Sequence, residues 1–218
     1  MPVELTKFSE SSMNTLKILT LGCFSLSPVI AVLPAVAAEC RVTQAQPAST
    51  TREIVNDEHR LRFEIPSNYH TSLERHESRL RIVVQNPGDV EFEACMSQPG
   101  NSGSRRYVAT NIAIWIDELP EELRRSPNLR NYVASQESSH REHTFVEQIT
   151  IDGQTGVFFI EKFAGNVSRY PETNQYAYVL HPDGQHLIRI RAWQLGSSDI
   201  EEVDAETHSL ILSTLSFF

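Results

Sequence analysis

Three residues around one tight turn have the types and spacing to hold a metal ion. His181 and His186 flank Pro182-Asp183-Gly184, a turn sequence that reverses the chain and sets two imidazoles across a hairpin from each other. With the Asp183 carboxylate beside them they form a donor set for a divalent cation. The competing reading is an ordinary polar turn. A second pair, His140 and His143 with Glu142 between them, chelates only if the preceding helix continues through it, and it would need a third ligand. Otherwise it is a solvated helix end, where a protonated imidazole suits the helix dipole. Arg189, Arg191 and Trp193 share one face of a strand. Guanidiniums beside an aromatic bind a partner when that face is open, and form structural ion pairs when a helix covers it.

The motifs that mark hydrolases and nucleotide enzymes are missing. No Gly-x-Ser-x-Gly elbow, glycine-rich phosphate loop or His-Glu-x-x-His segment occurs. Gly100-Asn101-Ser102-Gly103 is similar to the nucleophile loop of trypsin-like proteases. That chemistry needs a His and an Asp from a barrel placed earlier in the chain, and too few residues precede Ser102 to build one. The segment reads as a polar loop. The chain is therefore expected to be no enzyme, and to carry no cofactor unless the histidine-flanked turn takes a divalent metal.

What positions these residues is set first by the leader. Ile18 to Ala38 is apolar and small, and it ends Ala35-Val36-Ala37-Ala38 before Glu39-Cys40, the form of a cleavable signal peptide over residues 1–38. Glu4 and Glu10 make a poor start for such a peptide, whereas Met13 followed by Lys17 makes a good one, so the true start is expected at Met13. An uncleaved anchor and a lipoprotein attached at Cys23 are the alternatives. Pro28, Pro34 and the small-residue ending disfavour the first; the apolar tail left by the second disfavours that one. No stable membrane anchor is expected. Export places the chain in a periplasm, a thylakoid lumen or the exterior. There Cys40 and Cys95 are the two remaining cysteines, and they are expected to form a disulfide.

Cleavage leaves about 180 residues, the size of one ordinary domain: an N-terminal arm over 39–50, then a single α+β domain over 51–218. The net charge of −9 is unchanged by losing the leader and disfavours nucleic acid as a partner. Every cationic side chain after Ala38 except Lys162 is an arginine.

Alternation of period two predicts strands at Arg60 to Ile65 and Asn111 to Asp117, and a charged hairpin in which Arg79 to Val84 turns at Pro87-Gly88-Asp89 into Val90 to Cys95. Asp152-Gly153 between Phe145–Ile151 and Thr155–Phe163 predicts a tight hairpin with positive φ. A second hairpin joins Gln175–Leu180 to Gln185–Trp193. Helical spacing appears after Pro127, at Leu129, Tyr132, Val133 and Gln136. It recurs from Asp199 to Thr214, through Thr207, Leu210, Ile211 and Leu215, with Ser198 or Asp199 as cap.

The order of these pieces resembles the Mog1/PsbP-like superfamily. The resembling marks are Phe63-Glu64-Ile65-Pro66-Ser67-Asn68-Tyr69, Ile151-Asp152-Gly153-Gln154-Thr155-Gly156, the hairpin from Tyr178 to Ile190, and Leu212-Ser213-Thr214-Leu215-Ser216-Phe217. Together they cover most of Leu61 to Phe218. The resemblance implies an antiparallel β-sheet with helices packed on it, an α/β/α sandwich. It also implies an accessory module that acts by binding a protein partner. A small-ligand or metal-binding protein is the alternative, and the sequence leaves oligomeric state open.

Overall fold

In a computed structural model the described residues are 39–41, 43–76, 79–103, 108–138, 141–163, 172–195 and 202–218. The expected leader, residues 1–38, lies outside them, as do His140 and the expected helix cap at Ser198 or Asp199.

Strands dominate. In chain order the elements are β1 (Glu39–Cys40), β2 (Thr51–Asn56), β3 (Leu61–Pro66), β4 (His70–His76), β5 (Arg79–Gln85), α1 (Pro87–Met96), β6 (Ser102–Gly103), β7 (Val108–Glu118), α2 (Glu121–Arg125), α3 (Leu129–Ser135), β8 (Arg141–Ile151), β9 (Gln154–Phe163), β10 (Glu172–Leu180), β11 (His186–Leu195), α4 (Glu202–Thr214) and β12 (Ser216–Phe217). Among the described residues the largest sheet is antiparallel throughout, in the order β4-β5-β7-β11-β10-β9-β8. A smaller sheet runs β12-β3-β2, and β1 pairs with β6 in parallel. The architecture is α+β, as the element order implied.

Alternation puts two apolar faces on the main sheet. On one face Leu80, Ile82, Ile114, Ile116, Ile188 and Ile190 meet Leu61, Phe63 and Ile65 of the small sheet, Ile211 of α4 and Leu215 just after it, all of them buried. On the other face Val157, Phe159, Tyr178 and Leu187 meet Leu123 of α2 and Leu129 and Val133 of α3. Each such Leu, Ile or Phe contributes roughly 1.5–3 kcal/mol by leaving water. Helices thus lie on both faces.

The β8–β9 hairpin turns as its sequence demands. Asp152 and Gly153 both have positive φ, 47° and 75°, the conformation that suits the twist of the flanking strands. The β10–β11 turn closes by a bond from the Gly184 N–H to the His181 carbonyl, with Gly184 at φ 68°.

The expected hairpin from Arg79 to Cys95 does not form. Val90 to Cys95 lies in α1, because Asn86 caps the helix by accepting from the Gly88 N–H at 2.9 Å and Pro87 supplies a preset φ at its first turn. Six alternating residues fit a helix equally well when only one of their large side chains, Phe92, is buried. The β5 arginines instead face β4 and β7: Arg81 pairs with Glu74 at 2.9 Å and Arg79 with Asp117 at 3.0 Å. The helix expected after Pro127 is the short α3, Leu129–Ser135, and a second short helix, α2, precedes the proline. Ser126, which precedes that proline, is held extended and ends α2; Asn128 caps α3 by accepting from the Asn131 N–H at 3.0 Å.

The N-terminal arm is fastened to the sheet and to α1. Cys40 and Cys95 are bonded, with Cα atoms 5.8 Å apart and 55 residues between them in sequence. Buried Asn86 accepts from the Ala45 N–H at 2.9 Å and donates to the Ala45 carbonyl at 2.7 Å and to the Tyr69 hydroxyl at 3.0 Å. Gly88 touches the arm so closely that a Cβ there would sit 1.3 Å from the Thr43 carbonyl oxygen. Among the described residues no helix is long and apolar enough to cross a membrane.

Candidate functional site

The turn between β10 and β11 brings its three candidate ligands together. His181 Nδ1, an Asp183 oxygen and a His186 ring nitrogen lie within 4.8 Å of one another. His181 is buried at the end of β10, Asp183 sits in the turn and His186 opens β11. Asp183 Oδ1 accepts from the Gln185 N–H at 2.7 Å and from the His186 N–H at 3.1 Å, the local bonding that makes aspartate a turn residue. Its other oxygen, Oδ2, faces both rings, 3.0 Å from His181 Nδ1 and 2.7 Å from His186 Nδ1. Partial burial works against the Asp183 charge. The Gln185 N–H, His186 and His181 outweigh it and hold the carboxyl down to about 2.

The far side of His181 is fixed as well. Its Nε2 lies 2.8 Å from the His59 carbonyl, and a carbonyl only accepts, so Nε2 carries the proton. The ring stands edge-on to Phe217 at 4.9 Å. His59 itself stands edge-on to His186 at 5.0 Å, and burial followed by the nearby His186 lowers its pKa. An open groove of about 420 Å³ runs along these residues, with Glu58, Arg60 and Phe218 on its walls.

A second constellation occupies the sheet face that α2 and α3 only partly cover. Trp115 of β7 is half-buried, and three guanidiniums lie over its ring: Arg191 at 4.8 Å, Arg81 at 5.5 Å and Arg189 at 5.5 Å. The register causes this, because Arg81 of β5 and Arg189 of β11 are the direct cross-strand neighbours of Trp115. Asp117 serves two cations, Arg189 at 2.5 Å and Arg79 at 3.0 Å. Burial opposes the Arg189 charge, but Asp117 more than compensates, and its pKa rises. Beyond Arg191, Tyr176 stacks on Phe159 at 5.1 Å, and burial pushes the phenol pKa values of Tyr176 and Tyr178 up.

Arg189 and Arg191 therefore do share a face with an aromatic, but that aromatic is Trp115; the side chain of Trp193 lies outside the described residues. Trp115 was missed because the alternation of Ile112, Ile114 and Ile116 marks the opposite face of β7 as the core. Nothing in one sequence tells which strand lies beside Trp115.

Of the His140–Glu142–His143 grouping, His140 lies outside the described residues, and Glu142 and His143 do not face one way. The helix ends at Ser135, and His143 lies on β8 with its side chain buried, Nε2 3.2 Å from Glu161 and the ring edge-on to Phe159, while Glu142 is exposed. Alternation along a strand sends the two neighbours to opposite faces. Ser102 lies in β6, opposite Glu39 of β1.

A solution structure of cyanobacterial PsbP (CyanoP) from Synechocystis sp. PCC 6803 is similar, with a TM-score of 0.43 and 11% sequence identity over 82% of this chain and 97% of that one. The fold resemblance to PsbP is remote. No family model and no curated sequence matches the chain.

Proposed function

We propose that the chain is an extracytoplasmic, non-catalytic accessory module that binds an acidic segment of a protein partner through the Trp115 face. The observation that carries this reading is the row of guanidiniums around one half-buried indole. Arg81 and Arg189 keep 32% and 26% of their side-chain surface exposed, so both reach solvent from this face. A planar guanidinium matches a carboxylate through two parallel bonds, and an aromatic held between such groups is the usual composition of a binding anchor. Asp117 serves Arg189 and Arg79 and Glu74 serves Arg81, and each guanidinium has five N–H donors, more than one carboxylate takes up. The exported location is supported by the leader pattern and by the Cys40–Cys95 bond, which belongs to an oxidising compartment.

The test is comparative affinity capture from the cells of origin with Trp115→Ala, Arg191→Glu and, as a remote control, Arg62→Glu. A partner held by the wild type and by the control should be lost with either face variant. An anchor residue contributes about 2 kcal/mol or more, a loss of at least about thirtyfold in affinity, and binding should weaken with added salt. Equal capture by all four proteins would refute the reading.

A further inference from the structure

We infer that the β10–β11 turn is a divalent-metal site of the zinc or copper(II) class, with His181 Nδ1, Asp183 Oδ2 and His186 Nδ1 as protein ligands. The inference is independent of the partner face around Trp115.

The argument begins with the direction of the lone pairs. Because His181 Nε2 donates to the His59 carbonyl at 2.8 Å, the neutral ring carries its lone pair on Nδ1, which points into the turn. A ring N–H given to a backbone carbonyl is the outer contact that orients a metal-ligating histidine. The Asp183 N–H approaches that lone pair at 3.2 Å, and Asp183 Oδ2 lies 3.0 Å from the same nitrogen. A lone pair and a carboxylate oxygen at this distance repel unless a positive charge lies between them. Oδ2 also lies 2.7 Å from His186 Nδ1, which donates to it in one neutral tautomer and turns a lone pair toward the same point in the other. A single dication facing all three atoms removes the His181 repulsion and takes the place of the proton that His186 otherwise shares with Oδ2.

The carboxylate is arranged to match. Oδ1 is occupied by two backbone N–H groups, so Oδ2 is the oxygen turned toward the rings, and the turn itself holds the side chain in place. Ligand atoms of a tetrahedral zinc, with metal bonds of about 2.0–2.2 Å, lie about 3.3 Å apart. The Oδ2 pairs with His181 and His186, at 3.0 and 2.7 Å, are shorter than this, and all three ligand atoms lie within 4.8 Å of one another. His186 keeps 25% of its side-chain surface exposed and has room to rotate. Two imidazoles and one carboxylate favour zinc, copper(II) or nickel over calcium and magnesium, which take oxygen donors. His181 is buried while Asp183 and His186 reach solvent, so a fourth position faces the groove, open to water or to a donor from a bound molecule.

The experiment is calorimetric titration of the untagged chain with zinc chloride at neutral pH, with calcium chloride as control. It is repeated on His186→Ala, Asp183→Asn and the His181→Ala/His186→Ala double variant. Circular dichroism confirms folding of each, and His186→Ala is the deciding arm if the double variant does not fold. We expect one zinc per wild-type chain, no calcium binding, and an affinity at least about a hundredfold lower in folded His186→Ala, since even outer-shell changes cost up to that factor. Cobalt(II) should give a ligand-field spectrum in the wild type that His186→Ala lacks. Absence of zinc binding by the folded wild type, or equal affinity in folded His186→Ala, would overturn the assignment.

Discussion

Replacing Asn86 by alanine should cost about 4 kcal/mol, and replacing it by aspartate should cost no less. Asn86 is fully buried and makes four hydrogen bonds: from Gly88 N–H, from Ala45 N–H, to the Ala45 carbonyl and to the Tyr69 hydroxyl. Loss of the helix cap costs about 1 kcal/mol, and each of the other three bonds contributes about the same, more where a partner is left buried and unpaired. The total is a large share of the roughly 5–15 kcal/mol that holds a domain together. Aspartate separates the roles. Its first oxygen keeps the cap and the Ala45 N–H, but its second sets a lone pair against the Ala45 carbonyl where the amide donated a proton, and it buries a charge. Urea unfolding followed by tryptophan fluorescence, with the disulfide intact, measures both variants. If Asn86→Asp unfolds within about 1 kcal/mol of the wild type, Asn86 is a helix cap and no more, and its role as the link between arm, α1 and Tyr69 is refuted.

Reducing the Cys40–Cys95 bond, or substituting Cys40→Ala, should lower stability by about 4 kcal/mol in the loop-entropy treatment, given the separation of 55 residues; the urea midpoint with and without reductant reads this directly. Acid should weaken the fold through His208, which is buried on α4, donates to the Ile190 carbonyl, and is lowered by burial from 6.5 to about 4. The unfolded chain takes up this proton first, so stability is complete above pH 6.5, falls between 6.5 and about 4 by roughly 3 kcal/mol, and is then flat. A His208→Leu variant should show a correspondingly shallower loss between pH 7 and 4.5 in urea titrations, and an unchanged slope would sink this assignment.

The elements legible in the sequence are those where one local signal had no rival. Leu61, Phe63 and Ile65 alternate and a proline follows; Asp152-Gly153 demands positive φ; Thr207, Ile211 and Leu215 fall on one helical face. The turn at His181 to His186 was equally plain, because its spacing is fixed by the turn and not by distant packing. Elsewhere the local signal was absent or shared. Strand β4 is exposed along its whole length and has only Leu73 as an aliphatic side chain, so nothing alternates; it is a polar edge strand that blocks further pairing. In α1 an Asn-Pro start was available to either a turn or a capped helix, and the Ala45 and Tyr69 contacts of Asn86 decide in favour of the helix. Trp115 gained its role only from strands 34 and 74 residues away, through Arg81 and Arg189.

The fastening of the arm also bears on the order in which the chain becomes ordered as it is made. Cys40, Thr43 and Ala45 are synthesised before every residue that holds them: Cys95, Gly88 and Asn86. Ala48 likewise waits for Asn68. As the chain is made the arm therefore has no docking surface until α1 has followed it, and the oxidation of Cys40 is a chemical clock for that moment. The arm, made before the rest of the domain, is among the later segments to settle.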